Sequence, residues 1–423
     1  MMWKRGFNFL QKRYKIIGKN EFLPHIRKDG KATIPCQILQ NFNVCKKGII
    51  LIKIKCEKGK YFRIKKLNVE TNSRTISLKA ERFFKKLKIE VLDIKTEKEA
   101  LSRDSKDIFS IKNFIPKFTS SGKGSSPIYL FENGLNLIVG GYYKKDLIVK
   151  NKIEFDETTL ESLGLYFAEG GKIAASFTNS WPNAINSVLS FVERLFNIKR
   201  KRIKASICCA YSLNKKQKQL EKFWKVKTRI SNFSKSLHFN KNSVSSQGIL
   251  ELYFCSEVIK SVLIDLINKI SNYDIDAVPL LRGIFSGDAS PILQNKYCIT
   301  HNLAFNDKEK NIYLYYLKKA FPDTKINIIQ KRFVLYSSWE ENKKLLFEDI
   351  YKFNSLNRAK FARQFFSLPK TKKILPYDSE LQEFLKSRYP KIISELLNIY
   401  KKLINFKIQN KNFIENEARK WIT

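Results

Sequence analysis

The order of hydrophobic and polar residues divides the chain into three regions. Over the first 110 residues, apolar and basic residues alternate with a period of two in short runs, such as 48–55 and 74–78, which is typical of β-strands. We therefore predict a small, mainly β domain there, with one helix near 79–88. From about 156 to 366 strand-like and helix-like segments alternate, and after 376 apolar residues recur at helical spacing, so an α+β region and a helical tail should follow.

Two segments of the central region share one pattern, SLGLYFAEG at 162–170 and LRGIFSGDA at 281–289. Both patterns predict an apolar helix. Thr158 and Glu161 predict a capping box at the start of the first helix, while Asp276 and Pro279 suit the cap and first turn of the second. The central region therefore contains an approximate internal duplication.

Small residues stand four positions apart in each predicted helix, Gly164 and Ala168 in the first, Gly283 and Gly287 in the second. A glycine inside a helix costs about 1 kcal/mol relative to alanine, so these positions need a structural reason. Small residues at this spacing allow two helix backbones to approach closely. We therefore predict that the two helices pack against each other through these four residues.

Each predicted helix ends in a carboxylate, Glu169 or Asp288, directly after its second small residue. The C-terminal end of a helix is the negative end of its dipole, so a negative charge is unfavourable there. Parallel packing of the helices would also bring the two acids together. A divalent cation relieves this repulsion, and Mg²⁺ held by carboxylates and phosphate oxygens is suited to in-line hydrolysis of a phosphodiester.

The charge of the chain indicates a class of partner. With 80 Lys and Arg against 39 Asp and Glu, the formal net charge is +41. Such a charge favours a polyanion, because each neutralised phosphate releases a counterion. Nucleic acid is the first interpretation and an anionic membrane surface the second. The 32 Phe and 18 Tyr residues are too many for a disordered basic tail.

The rest of the composition bears on metal sites and on the compartment. Seven Cys occur without a C-x-x-C pair and only three His are present, so we predict buried thiols in a reducing compartment, with neither a zinc site nor histidine acid–base catalysis. No apolar run reaches eighteen residues, and the first residues lack the features of a signal peptide. We expect a protein of the cytoplasm (nucleoid) or an organelle, neither secreted nor bound to a membrane.

The two segments resemble the paired motifs of LAGLIDADG homing endonucleases of the single-chain type. The first is similar to the motif variant LGLYxAEG and the second to LRGxFxGDG, with Ala289 in place of the final Gly, and the two acids are 119 residues apart (288 − 169). Predicted strands and helices follow each motif in a similar order. They lie at 172–178, 183–196, 203–211, 248–254 and 256–269, and again at 297–305, 308–321, 325–330, 333–337 and 340–353.

This resemblance implies an α+β fold with two pseudo-symmetric αββαββα half-domains, whose antiparallel sheets form a saddle over the DNA major groove. It implies a monomeric, metal-dependent endonuclease that hydrolyses both strands of a long, specific double-stranded DNA site. Glu169 and Asp288 would be catalytic and would bind Mg²⁺, for which Mn²⁺ can substitute, together with backbone groups of Ala168, Gly170 and Gly287.

The family also places a lysine near the scissile phosphate to polarise the attacking water. Lys360 is the candidate here, with Arg358 and Lys331 as rivals. DNA contacts are expected from alternating side chains of the sheets and from basic runs. The DNA-binding candidates are Lys199, Arg200, Lys201, Arg202, Lys204, Ser206, Asn302, Asn306 and Lys331, while His301 has either a structural role or a base contact.

The predicted organisation has five parts, separated most clearly by the Ser- and Gly-rich linker at 119–127. They are a mainly β accessory domain over 1–118, a linker and β extension over 119–150, half-domains over 151–272 and 273–368, and a helical C-terminal extension over 369–423. Residues 27–55 of the first part resemble the swapped-hairpin AbrB type of DNA-binding domain, and an ordinary accessory β domain is the alternative.

Two other functions fit the same motifs. A family member that binds without cutting would act as an RNA maturase on its host intron or as a DNA-binding regulator. The retained acids favour an active, intron-encoded nuclease. Since the chain has neither an N-terminal Cys or Ser nor a terminal His-Asn pair, we expect a free-standing enzyme and not an intein.

Overall fold

The computed structural model describes residues 14–42, 48–70, 73–84, 86–105, 107, 109–118, 125–140, 146–171, 175–210, 213, 216–234, 238–239, 247–254, 256–295, 297–375 and 377–389. The fold is mixed α+β and contains antiparallel sheets, one of them a curled half-barrel. This confirms the α+β class expected from the alternation of strand-like and helix-like patterns. None of the helices in these ranges is both long and apolar enough to cross a membrane.

The N-terminal region forms a seven-stranded sheet in the order β1-β2-β7-β4-β5-β6-β3. Its elements are β1 (Tyr14–Gly18), β2 (Glu21–Pro24), β3 (Lys31–Thr33), α1 (Cys36–Gln40), β4 (Gly48–Cys56), β5 (Gly59–Glu70), β6 (Ser73–Ser77) and β7 (Lys88–Lys95). In β4, Ile50, Ile52 and Ile54 face the core of the N-terminal region, while Ile49 and Leu51 are buried in a second core on the opposite face.

The predicted helix near 79–88 is wrong. Residues 79–83 form successive turns, and Lys86 has a left-handed φ of 51°. The reason lies in Glu81, whose side chain is 1% exposed and pairs with Arg63 at 3.1 Å and with Lys65 at 3.5 Å. The segment therefore turns inward and places one carboxylate against strand β5. Helical spacing does not reveal this pairing, because the partner residues lie far from Glu81 along the chain.

A three-stranded sheet in the order β10-β9-β8 forms a layer between two cores. It follows α2 (Glu97–Leu101) and consists of β8 (Tyr129–Asn133), β9 (Asn136–Gly140) and β10 (Leu147–Lys150). Tyr129, Phe131 and Ile138 pack with Ile49 and Leu51 of the N-terminal sheet. The largest core contains the buried side chains of the opposite face, Leu130, Leu137, Val139 and Val149, together with those of the elements that follow in the chain. Much of the predicted linker, at 119–124, lies outside the described residues.

The first predicted motif begins a unit with one mixed sheet. Its elements are α3 (Glu157–Glu169), β11 (Ser176–Asn179), α4 (Pro182–Phe196), β12 (Lys204–Cys209), α5 (Gln217–Thr228), β13 (Asn232–Phe233), β14 (His238–Phe239), β15 (Ile249–Tyr253) and α6 (Glu257–Lys269). The sheet has the order β11-β15-β12-β13, with β14 also paired to β12. Both β13 and β14 run parallel to β12, whereas the other pairs are antiparallel.

The second motif begins a unit with a fully antiparallel sheet in the order β16-β17-β19-β18. Its elements are α7 (Ala277–Asp288), β16 (Ala289–Asn295), β17 (Cys298–Ala304), α8 (Lys310–Ala320), β18 (Lys325–Ile329), β19 (Arg332–Ser337), α9 (Trp339–Phe347), α10 (Ser355–Ser367), α11 (Pro369–Ile374) and α12 (Ser379–Arg388). The helix predicted over 340–353 ends early because Asp349 adopts a left-handed φ of 50°. The predicted tail beyond 389 lies outside the described residues.

Candidate active site

The two motif helices, α3 and α7, are in backbone contact. A Cβ atom built on Gly164 would overlap the carbonyl oxygen of Leu280 and lie 3.1 Å from the Cα atom of Gly283. A Cβ atom on Gly283 would overlap backbone atoms of Glu161 and Leu165, and one on Gly287 would lie 2.6 Å from the Cβ of Ala168. The structure therefore brings Gly164, Ala168, Gly283 and Gly287 together, and only glycine fits at the closest points.

A buried ion cluster joins the same helices nearer their N-terminal ends. Glu161 is 2% exposed; Arg282 of α7 donates to it at 3.1 Å, and Lys352 donates to both its carboxylate oxygens at 2.8 and 2.9 Å. The capping box predicted for Thr158 and Glu161 is therefore wrong, since the cap of α3 is Asp156, which accepts from the Thr159 amide at 2.7 Å. The predicted cap of α7, Asp276, is confirmed.

Glu169 and Asp288 lie at the same end of the helix pair. A Cβ atom on Gly287, the residue before Asp288, would lie 3.0 Å from the Cγ of Glu169. Burial raises the pKa of the Glu169 carboxyl above its ordinary value, and both acids are partly buried. Two acids at the negative ends of two parallel helices repel each other, and a bound cation would relieve that repulsion.

Neither motif helix ends in a residue with a left-handed backbone conformation. Gly170 has φ −75° and Ala289 has φ −108°, both ordinary conformations for any residue. Gly170 is needed for space, because a Cβ atom there would overlap the Tyr166 carbonyl oxygen. Ala289 enters strand β16 directly and meets no such obstacle, so its departure from the motif is sterically harmless.

Tyr313 of helix α8 completes the surroundings of the acids. Its hydroxyl donates to Oδ2 of Asp288 at 2.8 Å, and its ring packs 5.1 Å from that of Phe167. Burial, followed by the charges of Asp288, Glu309 and Glu169, raises the pKa of Tyr313 well above its ordinary value. The phenol therefore stays protonated and holds one oxygen of Asp288 in a fixed position.

The oxygen atoms at this end of the helices fit a hard divalent cation. Carboxylates of Glu169 and Asp288 are joined by carbonyl groups of the last turns, at Ala168 and Gly287, and by Gly170 beyond the end of α3, where intrahelical donors are lacking. Within the part of the chain that the structure describes, no three or more His, Cys, Asp and Glu side chains are grouped to hold a metal. Carboxylate and carbonyl oxygens are ligands of the kind that Mg²⁺ takes in proteins, where water and phosphate oxygens supply the rest.

Replacing Tyr313 with phenylalanine is expected to weaken metal binding roughly tenfold, because groups that orient a metal ligand typically affect affinity 10- to 100-fold. Calorimetric titration of the protein with Mn²⁺ would measure this without any cleavage assay. Tyr316→Phe is the matched control, since Tyr316 is equally buried on α8 and its hydroxyl has no partner among the described residues. Equal Mn²⁺ affinities for Tyr313→Phe and the unsubstituted protein would contradict this role.

The predicted lysine lies near one acid, but its side chain is turned to solvent. Lys360 is exposed on α10, one turn beyond Asn357, whose side-chain amide donates to the Ala289 carbonyl at 2.8 Å. Its rivals have other partners. Arg358 pairs with Asp349 at 2.6 Å, and Lys331 is exposed between β18 and β19, 3.4 Å from a carboxylate oxygen of Asp307.

One buried lysine was not among the candidates from the sequence, Lys260, which is 9% exposed on α6. Two backbone hydrogen bonds connect the chain that follows the end of α3 with the chain that precedes the start of α6. The Gly171 amide donates to the Ser176 carbonyl at 2.8 Å, and the Phe254 amide donates to the Ala175 carbonyl at 2.8 Å. The available signal was a lysine inside the apolar pattern of 257–269, because lysine is rarely buried.

Each motif sheet has an apolar face toward the helices and a more polar face opposite. On the polar faces, Lys204 is exposed on β12 and Asn302 is partly exposed on β17, with an Oδ1 atom that is buried and has no partner in the described ranges. Ser206 shares the face of Lys204 but is 3% exposed and donates to Glu251 at 3.3 Å. Its predicted DNA contact is therefore wrong, because the hydroxyl is covered and already bonded.

Two further DNA-binding candidates already have partners within the protein, and their DNA contacts stay predictions. Asn306 lies beyond the end of β17, where its side chain accepts from the amides of Lys308 at 3.0 Å and Glu309 at 3.1 Å. Arg200 donates to Glu193 and Asn186, both at 2.9 Å, and so supports helix α4. The rest of that basic run, Lys199, Lys201 and Arg202, is exposed and available to a polyanion.

His301 has a structural role, and the base contact considered for it is wrong. It is fully buried, with Nδ1 2.9 Å from the Tyr351 hydroxyl and Nε2 3.0 Å from Oδ1 of Asn342. Burial lowers its pKa to about 4, so the ring is neutral, with Nε2 donating to Asn342 and Nδ1 accepting from Tyr351.

Comparison with known proteins adds no relative to this picture. A scan of the chain against models of protein families finds no match, and a search among curated proteins finds none either. The functional assignment therefore depends on the residues and contacts described above.

Proposed function

We propose that the protein is a site-specific DNA endonuclease that hydrolyses both strands of a long double-stranded target with Mg²⁺, as a single-chain protein of LAGLIDADG type. One observation carries the proposal. The close packing of α3 on α7 through Gly164 and Gly283 brings Glu169 and Asp288 to one end of the helix pair. Carboxylates held in this way, in a chain of net charge +41, suit metal-assisted cleavage of a polyanion.

Strand order supports the pseudo-symmetric saddle. Across the second sheet, β17 lies next to β19, and β19 lies next to β18. Across the first sheet, β11 lies next to β15, and β15 lies next to β12, so β11, β15 and β12 correspond to β17, β19 and β18. In each unit the corresponding strands occur at the same points between the helices. Two sheets of this order, placed side by side by α3 and α7, would present their polar faces to one duplex.

The two units would share the DNA unequally. Within the described residues, β16 has no counterpart in the first sheet beyond an isolated bridge between Gly170 and Phe177. Instead, the first unit carries α5, β13 and β14 between its last two long strands. We therefore expect more base contacts from the second sheet, and phosphate contacts in the first unit from the exposed basic run that contains Lys201 and Arg202.

In the proposed reaction, Glu169 and Asp288 would hold a divalent metal ion, which would supply electrostatic stabilisation of the phosphodiester as it is hydrolysed. Tyr313 keeps Asp288 in one orientation. A lysine beside the scissile phosphate polarises the attacking water, and hydrolysis leaves 5′-phosphate and 3′-hydroxyl ends. Among the lysines, we favour Lys260 over the exposed Lys360 for the first unit, because it lies in the first turns of α6 and the chain before α6 is hydrogen-bonded to the segment that follows α3.

Replacing Lys260 with methionine is expected to slow cleavage about 100-fold, the lower end of the effect of a positioned acid–base group. Lys360→Met, the control, should change the rate by less than about threefold. Single-turnover cleavage of a plasmid target would measure both rates. A large loss for Lys360→Met with none for Lys260→Met would restore Lys360 to the role predicted from the sequence.

The proposal is tested by a cleavage selection, in which the protein is incubated with a randomised double-stranded DNA library and Mg²⁺ or Mn²⁺. Recovery of fragments cut at one long sequence, dependent on the metal, is the expected result. If no DNA is cut while the protein still binds DNA or intron RNA, the nuclease proposal is wrong. A non-cleaving maturase or DNA-binding regulator would then be the better assignment.

A further inference from the structure

A group of aromatic and basic side chains lies at the N-terminal sheet, and Lys58, Arg82 and Phe83 are its exposed members. Phe83, in the turns that replace the predicted helix, is 75% exposed. Leaving a phenylalanine in water forgoes roughly 2 kcal/mol of burial, so its exposure needs a reason. Residues 1–118 contain 30 Lys and Arg against 11 Asp and Glu, a net charge of +19 (30 − 11). Phe83 therefore belongs to a strongly basic part of the chain.

Cations lie over each ring of this group. The guanidinium of Arg82 lies 4.5 Å from the centre of the Phe83 ring, and the Lys58 ammonium lies 4.8 Å from that of Phe84. Tyr61 packs edge-on against Phe84 at 6.0 Å and carries the guanidinium of Arg63 at 4.5 Å. We call these six residues the Phe83 surface; they are Lys58, Tyr61, Arg63, Arg82, Phe83 and Phe84.

The underlying residues hold this surface in place. Arg63 is also fixed by its ion pair with the buried Glu81 at 3.1 Å, and Tyr61 and Phe84 pack on the N-terminal core. Phe83 therefore projects from a supported turn, with the guanidinium of Arg82 over its ring. A purely apolar partner would have to strip water from these cations, whereas a partner with both anionic groups and flat rings satisfies both features.

We propose that the Phe83 surface binds single-stranded nucleic acid, with one unpaired base stacked on Phe83 and the neighbouring phosphates on Arg82 and Lys58. Proteins that bind single strands combine aromatic platforms with basic grooves in this way. A duplex is the poorer ligand, because its base faces are already covered by stacking. This site is separate from Glu169 and Asp288, so it does not depend on the proposed nuclease activity.

Replacing Phe83 with alanine in the full chain is expected to weaken binding of a uridine or thymidine oligonucleotide about tenfold, within the range for loss of one stacked base. Arg82→Ala should weaken it severalfold. Fluorescence anisotropy at moderate salt would measure both, with Tyr377→Ala as the control because Tyr377 is 87% exposed elsewhere in the chain. The oligouridine and oligothymidine arms distinguish RNA from DNA as the ligand.

A second variant separates stacking from charge and from folding defects. Phe83→Trp should keep the affinity, and its added fluorescence should be quenched by the oligonucleotide but not by heparin, a polyanion without bases. Glu169→Gln should bind the oligonucleotide normally, whatever it does to DNA cleavage. Unchanged affinity for Phe83→Ala, or quenching by heparin as strong as by the oligonucleotide, would overturn the proposal.

Discussion

Replacing Glu169 with glutamine is expected to reduce DNA cleavage at least about 1,000-fold, and Asp288→Asn should have a similar effect. A metal ion contributes several kcal/mol to stabilising the transition state, and each 1.36 kcal/mol corresponds to a tenfold change in rate. Glutamine keeps the shape of the side chain but removes the negative charge that holds the cation. Cleavage of the selected target under single-turnover conditions would measure the loss.

The same variants should keep their fold and their affinity for DNA. Burial already raises the pKa of Glu169, so a neutral side chain at this position removes a desolvation cost and should not lower stability. Glu157→Gln is the matched control, since Glu157 lies on the same helix with its side chain 57% exposed. If Glu169→Gln cleaves as fast as the control, the two acids do not form the metal site.

Replacing Gly283 with alanine is expected to lower the free energy of unfolding by about 3 kcal/mol or more, at the upper end of the cost of overpacking a core. The new Cβ atom would overlap backbone atoms of Glu161 and Leu165, which cannot rotate away as a side chain can. The two helices would have to separate. Urea denaturation followed by circular dichroism would measure the loss, and cleavage should fall with it because the acids would separate too.

Neighbouring glycines provide graded comparisons for this expectation. A Cβ atom on Gly287 meets side chains, Ala168 at 2.6 Å and Glu169 at 3.0 Å, so Gly287→Ala should cost less stability but disturb metal binding. Gly18→Ala is the control, because its closest neighbour is the Glu21 side chain at 3.4 Å. If Gly283→Ala were as stable as Gly18→Ala, the backbone contact between α3 and α7 would not exist in solution.

The sequence by itself determined the parts of this protein that depend on neighbouring residues. Period-two alternation identified the N-terminal strands, and small residues at i and i+4 identified the helix surfaces that now meet at Gly164 and Gly283. The position of the two acids after those residues followed from the same local pattern. These features were readable because spacing along one helix or strand decides which side chains share a face.

Only the tertiary structure decided which distant groups meet. Glu161 was predicted as a local cap but is bonded to Arg282 and Lys352, while Tyr313 reaches Asp288 from a helix that begins more than twenty residues later. The turns around Phe83 replaced a predicted helix because Glu81 pairs with a neighbouring strand. Such contacts depend on how whole elements pack. A buried charge or hydroxyl needs a hydrogen-bond partner, and the packing of distant elements decides which partner is within reach, so no local sequence pattern identifies that partner.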